Sequence, residues 1–301
     1  MSRRGREEIA ALPWRGPGPD RPVLALPPAR MPMRGGGAWL KQWRYVAAFG
    51  EELMLCGARA QVGPFGQSFW AVFERGGEIL EQTRPRLPVV RGEVWTEVGG
   101  GEPWRLGGDY QRLVTRIESG ELAAKLTFGD GRWAESVCPT PDGSHVWTRK
   151  RTGPVHCDLT LPGGRRIEAE LEGIEDESAG YHPRHTVWSW SAGVGRARDG
   201  RTLGWNLVEG VNDPAERSER AIWIDGEPIE PGPVRFDGLE AIDFDDGSRL
   251  AFSKEAERSR EENKLLLRYS YRQPFGSFSG SLAGIELERG LGVMEFHDAH
   301  W

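Results

Sequence analysis

Asp-Gly pairs recur along this chain of 301 residues and limit its fold more than any other feature. They stand at 130–131, 142–143, 199–200, 225–226, 237–238 and 246–247. Asp-Gly favours a two-residue hairpin turn because both central positions tolerate positive φ. A Pro-Gly-Gly sequence at 162–164 adds another turn. Short β-like runs between such turns predict an all-β, up-and-down antiparallel sheet or barrel, and the lack of repeated helical patterns disfavours a parallel α/β fold.

From Trp39 onward the runs KQWRYVAAF, LMLCGARAQV and QSFWAVFER, separated by turn residues, predict a meander of hairpins. One segment is ambiguous. Residues 253–267, SKEAERSREENKLLL, combine helix formers and alternating charges with Ser253 as an N-cap, which favours a short helix across a barrel end.

Composition divides the chain into an arm and two β domains. Residues 1–37, rich in Pro, Gly and Arg, predict an extended arm that has one short helix over 6–12 and no packed element. The charged stretch EGIEDESAG is the best composition shift in the later chain. We therefore expect a first β domain at 38–175 and a second at 176–301.

The net charge and the lengths of the apolar runs argue against several classes of binding partner. A net charge of −6 and a pI of about 5.7 argue against a nucleic-acid footprint. No apolar run approaches the roughly 20 residues that span a bilayer, and the N-terminus lacks the apolar segment of a secretory signal. We expect a cytoplasmic protein with no integral membrane segment, and the oligomeric state is left open.

Side-chain composition indicates what the interior holds. Thirteen tryptophans imply wide and partly polar interior surfaces, because each indole carries an N–H that needs a partner. Cys56, Cys138 and Cys157 are too few and too scattered for a disulfide framework, and no CxxC spacing predicts zinc. We expect three buried thiols.

The common catalytic signatures do not occur. The chain has no GxxxxGK[ST] phosphate loop, no GxGxxG after a strand, no GxSxG elbow and no HExxH. The sequence GSFSG resembles an elbow but places Phe278 at the position of the nucleophile. ATPases, Rossmann enzymes, α/β-hydrolases and zincins are therefore disfavoured.

The densest group of candidate residues is AGYHPRHTVWSWSAGVG. Because side chains alternate on a strand, one face would carry His182, Arg184, Thr186, Trp188 and Trp190, and the other Tyr181, His185, Val187 and Ser189. In the functional interpretation two indoles and an imidazole line a pocket, with His182 or His185 as acid or base near neutral pH. In the structural interpretation the indoles are core and the histidines are hydrogen-bonded at a strand end.

A second candidate is Glu209 in GWNLVEGVNDPAERSER. It lies in line with Trp205 and Leu207 on a predicted strand. Burial would raise its pKa, so that the carboxyl could act as general acid or base. In the alternative, Asn212 caps a loop and the Arg/Glu run that follows forms solvated pairs.

The C-terminal MEFHDAHW holds a third group, in which Glu295 and His297 alternate with Asp298 and His300. If this segment neighbours the histidines near 182, three imidazoles and Asp298 could bind zinc or iron. The spacing is nonspecific, and we expect no metal. Tyr271 in RYSYRQPFGSFSG either contacts a ligand or forms an aromatic cross-strand pair.

Several of these segments together resemble one family. LKQWRYVAAFGEELMLCGARAQVG, VWTRK, AGYHPRHTVWSWSAGVG, WNLVEGVNDPAERSER, YRQPFGSFSG and GVMEFHDAHW are similar, in order from Trp39 to Trp301, to the bacterial domain of unknown function 2804. In fold the chain is distantly similar to tandem lipocalin-like proteins such as hydroxyneurosporene synthase, a carotenoid hydratase. The resemblance implies an all-β chain of two lipocalin-like barrel or sandwich halves, with a His and a Trp of one strand facing the cavity between them. His185 and Trp188 lie three residues apart here, instead of two.

These observations favour a cavity that binds a polyene, terpenoid or polyketide and supports acid/base hydration, isomerisation or cyclisation without an organic cofactor. We expect His182 or His185 as proton donor and Glu209 as its partner. The expected ligand contacts are Tyr181, Trp188, Trp190, Trp205, Asn206, Asn212, Tyr271 and His297. A carrier that binds a lipophilic molecule without turnover is the alternative, and an interaction module with a filled interior is the third class.

Overall fold

The computed structural model describes residues 3–17, 20–86, 94–98, 106–107, 113–120, 122–264 and 267–300. These residues form one helix, α1 (Arg3–Ala10), and 22 strands. The first half holds β1 (Trp14–Gly16), β2 (Arg34–Gly35), β3 (Ala38–Trp39), β4 (Lys41–Phe49), β5 (Leu53–Val62), β6 (Phe65–Glu74), β7 (Ile79–Arg86), β8 (Val94–Val98), β9 (Leu113–Ser119), β10 (Leu122–Phe128), β11 (Ala134–Pro139), β12 (His145–Thr160) and β13 (Arg166–Gly180). The second half holds β14 (His185–Ala197), β15 (Thr202–Glu209), β16 (Ala221–Ile224), β17 (Glu227–Ile229), β18 (Val234–Asp237), β19 (Ala241–Phe244), β20 (Arg249–Lys264), β21 (Leu267–Leu282) and β22 (Ile285–His300).

The strands build two large antiparallel sheets. The first has the order β7-β6-β5-β4-β13-β12-β10-β9-β8, with β11 on β12 and β1 on β11. The second has the order β17-β16-β15-β14-β22-β21-β20-β19-β18, while β2 and β3 form a separate pair. The predicted all-β antiparallel fold with little helix is confirmed. No helix in the described part of the chain is long and apolar enough to cross a membrane.

The predicted turns form where their chemistry allows. The Asp-Gly pairs from 142–143 onward and the Pro-Gly-Gly turn connect antiparallel neighbours. At 130–131 the chain instead crosses from β10 to β11, which both pair with β12. Gly131 is needed there because an added Cβ would overlap the carbonyl oxygen of Thr152. This glycine therefore serves a close approach of the backbone and not a hairpin.

Each sheet curls around its own core. In the first, Val46 and Leu55 pack with Leu113 and Leu126, although β4 and β9 lie far apart in the strand order. In the second sheet a separate core contains Trp205, Leu207, Ile242, Phe244 and Leu250. Side chains from distant strands can meet in this way only if the sheet bends back on itself.

A third core lies between the two sheets. Tyr45 and Cys56 of the first sheet pack there with Trp190, Phe275 and Val293 of the second. These side chains alternate along their strands with those of the barrel cores. The central strands are therefore buried on both faces, and β13 buries Glu175, Asp176 and Glu177 there.

The N-terminal segment packs against the first sheet, so the prediction of an arm without a packed element is wrong. Its helix is present at Arg3–Ala10, slightly before the predicted range. Trp14, Leu26 and Met31 are buried against β11 and β12. These three apolar side chains supply enough buried surface to hold a segment whose Pro and Gly content prevents long strands.

Residues 253–264 belong to β20 and not to a helix. Cross-strand ion pairing supports this strand, since Glu257 binds Arg272 of β21 with an Oε1–Nε distance of 2.9 Å. Such pairs stabilise a sheet whose residues have low intrinsic β propensity. The helical pattern of charges was therefore overridden by pairing with a neighbour that is distant in sequence.

The two sheets meet along the chain at the segment between β13 and β14. β13 pairs with β4 up to Gly180, and β14 pairs with β22 from His185. The predicted division between residues 175 and 176 falls within β13. The three cysteines are free and buried, as expected.

A substitution at Gly193 of β14 tests how closely the β14 backbone packs against Trp205. A Cβ at this position would overlap the Trp205 ring and lie 2.7 Å from the carbonyl oxygen of Leu291. We expect Gly193→Ala to lower the free energy of unfolding by about 1–3 kcal/mol, as measured by urea denaturation.

The matched control is Gly77→Ala at an exposed turn, where the new Cβ would lie 3.2 Å from the carbonyl oxygen of Glu74. We expect this control to change stability by less than about 1 kcal/mol. Equal losses in the two variants would contradict the close approach of Trp205 to the β14 backbone.

Candidate functional site

A carboxyl group lies between the two sheets at Glu295 of β22. The alternation of this strand turns Val293, Glu295 and His297 towards the inter-sheet core. Trp188 Nε1 donates a hydrogen bond to Oε1 of Glu295 at 3.0 Å, and Gln273 Nε2 donates to Oε2 at 3.0 Å. Side chains of the two strands that flank β22 thus hold both carboxylate oxygens.

Burial raises the pKa of Glu295 to about 7, because desolvation disfavours the charged carboxylate. Hydrogen bonds from Trp188 and Tyr271 oppose this shift in pKa without cancelling it. The side chain is enclosed by protein yet keeps partial contact with solvent. A carboxyl that is half protonated near neutral pH can both donate and accept a proton.

Arg258 of β20 helps to position this carboxyl through a hydrogen bond to Tyr271. Its Nη1 donates to the Tyr271 hydroxyl oxygen at 2.9 Å, and its Nη2 donates to Thr83 Oγ1 of β7 at 3.0 Å. Its Nε lies 3.0 Å from the carboxylate of Glu81. Because Thr83 and Glu81 belong to the first sheet, the buried guanidinium joins the two sheets beside Glu295.

Aromatic rings form the surroundings of the carboxyl. Trp188 packs on His297 with ring centroids 4.1 Å apart, and Tyr271 meets His297 edge-on at 5.3 Å. From the first sheet, Phe69 lies 6.4 Å from the Tyr271 ring. Tyr45 continues the lining, since its ring meets Phe69 at 6.3 Å. Glu295 therefore faces an aromatic environment contributed by both sheets.

Further buried charges lie deeper between the sheets. Lys150 Nζ is 2.7 Å from Asp176 and 3.5 Å from Glu219. Burial raises the pKa of both carboxyls, while the Lys150 ammonium opposes that rise. The negative charge of Asp176 also contributes to the raised pKa of Glu295. The interior between the sheets therefore favours neutral carboxyl groups.

Several predicted ligand contacts meet at this place. Trp188, Tyr271 and His297 surround Glu295 directly. Trp190 and Asn206 lie one layer deeper, where the indole Nε1 donates to the Asn206 carbonyl oxygen at 2.7 Å. These five side chains come from β14, β15, β21 and β22, so pairing within the second sheet assembles them.

His182 is buried but is not a proton donor at neutral pH. Its ring stacks on Trp43 at 5.3 Å. Burial lowers the pKa of His182 to about 3, and the nearby Lys41 ammonium lowers it further in the same direction. The imidazole is therefore neutral under ordinary conditions, which disfavours the predicted role as an acid. It can still accept a hydrogen bond.

The predicted pair between Glu209 and a histidine does not form. Glu209 lies on the Trp205 side of β15, away from the inter-sheet core, and accepts a hydrogen bond from the Phe236 amide at 2.8 Å. His185 is half exposed and pairs with Asp298, 2.9 Å away. Among the described residues no hydrogen bond joins Glu209 to an imidazole, because the second sheet separates it from His182.

Three other predicted contacts lie elsewhere. Trp205 fills the core of the second sheet, where its Nε1 donates to Ser191 Oγ at 3.1 Å. The Tyr181 hydroxyl donates to the Pro32 carbonyl oxygen at 2.8 Å beneath the N-terminal segment. Asn212 donates to Glu219 at 2.9 Å in a loop. Trp205 and Tyr181 therefore contribute to packing, and Asn212 closes a loop.

Neither Glu295, Gln273 nor Arg258 was predicted from the sequence as a catalytic residue. The signal for Glu295 was present, because it follows the apolar run LGVM and shares a face with His297. Arg258 was hidden within a charged run that favoured a helix. Gln273 is fully buried on an interior strand, but an amide beside tyrosines does not show this in the sequence.

A separate pocket of about 240 Å³ lies at the rim of the first sheet, between β7 and the β9–β10 turn. Trp70, Leu80, Gln82, Ser119, Leu122 and Pro162 are among its lining residues. Ligand sites for drug-sized molecules usually enclose about 300–1,000 Å³. This shallow pocket is smaller than that range.

Two curled antiparallel sheets with a titratable carboxyl between them define a tandem lipocalin-like protein. Residues 147–301, just over half of the chain, match the domain of unknown function DUF2804. The chain belongs to this family, which confirms the resemblance seen in the sequence. No curated protein sequence matches the chain.

Several solved structures match this chain at about 10% sequence identity. Kievitone hydratase from Nectria haematococca matches with a TM-score of 0.56 and 10% identity, over 85% of this chain and 88% of that one. A protein provisionally named AttH from Nitrosomonas europaea matches with a TM-score of 0.47 and 11% identity, over 93% and 98%. CghA matches with a TM-score of 0.44 and 10% identity, over 92% and 96%. At such identities the likeness concerns the fold alone.

The pKa of Glu295 predicts how stability depends on pH. Its ordinary pKa is 4.5 and its pKa in the folded protein is about 7, so between these values only the folded state holds the proton. Stability therefore falls as the pH rises through this window. Glu295→Gln removes the buried charge, and its gain over the wild type should grow from near zero at about pH 5 to about 1–3 kcal/mol above pH 8.

Urea unfolding between about pH 5 and 9 measures this difference. Glu288→Gln, at an exposed position of the same strand, controls for the loss of a negative charge. Asp176, Arg258 and Tyr271 interact with Glu295. The comparison therefore measures loss of the Glu295 charge together with its electrostatic effect on these groups. A constant difference across the pH range would contradict a raised pKa at Glu295.

Proposed function

We propose that this protein binds a hydrophobic small molecule between its two sheets and catalyses an acid/base hydration, isomerisation or cyclisation of it, with Glu295 as the proton donor and acceptor. The observation that carries the proposal is a carboxyl whose pKa is raised to about 7 by burial among aromatic rings. The reaction class needs an acid, a base and a shaped apolar site, and no organic cofactor is part of the proposal.

The surroundings of Glu295 favour an apolar or conjugated substrate. Trp188, Tyr271 and Phe69 present large aromatic surfaces, which bind polyene, terpenoid or polyketide skeletons through burial of apolar area. Aromatic faces also attract positive charge. A carbocation formed when a double bond accepts a proton would therefore be stabilised at this site.

The hydrogen bonds around the carboxyl suit proton transfer in both directions. Protonated Glu295 gives its proton to a substrate carbon, and the carboxylate that forms is stabilised by the N–H groups of Trp188 and Gln273. The carboxylate then removes a proton from a neighbouring carbon or from an attacking water. The first outcome is isomerisation or cyclisation, and the second is hydration.

Arg258 and Tyr271 hold the Glu295 carboxyl in position. The guanidinium holds the Tyr271 hydroxyl oxygen at 2.9 Å, and that hydroxyl lies in hydrogen-bonding range of Glu295. Kievitone hydratase, which shares the fold, is named as a hydratase. That name supports the reaction class proposed for this chain and not a substrate.

Non-catalytic binding of a lipophilic molecule is the second candidate function. The same aromatic surfaces would hold the ligand, and Glu295 would anchor a hydroxyl or carbonyl group of it. The half-protonated carboxyl favours catalysis, because an anchor has no need of a pKa near 7.

Solvent deuterium distinguishes the two functions. Native mass spectrometry of freshly purified protein first identifies the chemical class of any retained lipophile. Members of that class, or a panel of polyenes, terpenoids and polyketides, are then incubated with the protein in D2O. The wild type should place deuterium on carbon, and Glu295→Gln should lower this rate by about 10²–10⁴-fold while changing affinity little.

Glu288→Gln is the matched control and should keep the full rate. Deuterium incorporation that survives Glu295→Gln would contradict the proposed role of Glu295. Tight binding by the wild type without incorporation into any bound compound would show a carrier.

A further inference from the structure

Three potential metal ligands meet on the face of the second sheet that is turned away from Glu295. The Nε2 atom of His185 lies 2.9 Å from Oδ1 of Asp298, and Nε2 of His300 lies 3.8 Å from the same oxygen. One donor atom from each of the three residues falls within 4.8 Å of the others. Alternation along β22 separates them from His297, which faces the inter-sheet core.

Pairing of β14 with β22 places these side chains together. His185 stands directly opposite His300, and Asp298 precedes His300 by two residues on the same face. The two imidazole rings are stacked, with centroids 3.8 Å apart and an interplanar angle of 12°. The backbone of two paired strands therefore brings two imidazoles and one carboxylate to one point.

The donor separations are close to those that a metal ion requires. Metal–nitrogen and metal–oxygen bonds of about 2.0–2.2 Å place neighbouring donors roughly 2.9–3.5 Å apart. The separation of 2.9 Å between His185 and Asp298 already fits. The stacked rings direct their nitrogen lone pairs in nearly parallel directions. His300 must therefore rotate out of the stack to reach a shared ion, which its half-exposed side chain permits. Two imidazoles and a carboxylate are a common donor set for divalent transition metals.

We propose that His185, Asp298 and His300 bind one divalent transition-metal ion. The ion would connect the first residue of β14, where the chain enters the second sheet, to the end of β22. Water would complete the coordination, because the three side chains remain in contact with solvent. This site lies on the opposite side of the strands from Glu295 and does not depend on the function proposed there.

Neighbouring charges affect which metal ions the site binds. Arg268 stands opposite His300 on β21, and Arg184 precedes His185. The positive charges of these two arginines oppose the binding of hard, oxygen-preferring metal ions, because such ions are attracted to their ligands mainly by electrostatics. Imidazole nitrogen adds more covalent affinity for Zn²⁺, Ni²⁺ and Co²⁺ than for Mg²⁺ or Ca²⁺. The site should therefore select the borderline metals.

A second group on the surface serves as an internal control. His156, Asp158 and Glu168 also bring three donor atoms together on the first sheet. That group has one imidazole, and His156 Nδ1 is already hydrogen-bonded to Glu170 at 2.6 Å. His156→Ala therefore removes a comparable exposed histidine without touching the proposed site.

Calorimetric titration of the full chain, free of any affinity tag and stripped with a chelator, tests the proposal with Zn²⁺. Co²⁺ titrated in parallel reports the ligand set through its visible absorption. We expect one ion per chain, and His185→Ala, Asp298→Asn and His300→Ala should each weaken binding by at least about 10–100-fold, as loss of metal-site partners does. His156→Ala should bind as the wild type does, and Zn²⁺ should raise the Tm of both.

The three variants should keep the metal-free Tm of the wild type, since each side chain is about half exposed. Lack of Zn²⁺ and Co²⁺ binding by the wild type would overturn the proposal. Binding that survives the double variant His185→Ala/His300→Ala, or that disappears with His156→Ala, would overturn it as well.

Discussion

Packing of the two sheets against each other is the constraint on which the site depends. Strands β4, β5 and β13 of the first sheet, and β14, β21 and β22 of the second, bury side chains on both of their faces. One face of each strand supplies its own barrel core, and the other closes the space between the sheets. Glu295 lies in that space, and removal of water from around it raises its pKa to about 7. A single sheet would leave the same carboxyl in solvent, where it would ionise as an ordinary glutamate does.

Buried charges in this interior are tolerated because each has a partner. Arg258 spans the sheets between Tyr271 and Thr83, and Lys150 lies between two carboxyls. Loss of one member of such a pair leaves an uncompensated charge, which costs more than the pair contributes. These pairs therefore specify how the two sheets sit on each other. The same specificity positions Trp188 and Gln273 on the two oxygens of Glu295.

The aromatic residues predicted from the sequence lie around Glu295, whereas the predicted acids His182 and Glu209 lie elsewhere. Trp188, Tyr271 and His297 could be found because each stands in a short aromatic and polar segment that alternates as a strand does. The acid could not be found in this way, because a carboxyl that is buried by another sheet looks the same in sequence as one that faces solvent. His182 shows the converse: its burial lowers the pKa to about 3, so a residue type suited to neutral pH is not charged there.

The sequence by itself determined the all-β class, the positions of most hairpins and the alternation of apolar residues, because these follow from turn chemistry and from strand geometry within a few residues. It also determined membership of the DUF2804 family. Only the tertiary structure decided which face of each strand is enclosed, that residues 253–264 pair as a strand, and that positions 188, 273 and 295 converge. Those outcomes depend on contacts between segments far apart in the chain, and the loss of hydration that sets a pKa arises only when such segments meet.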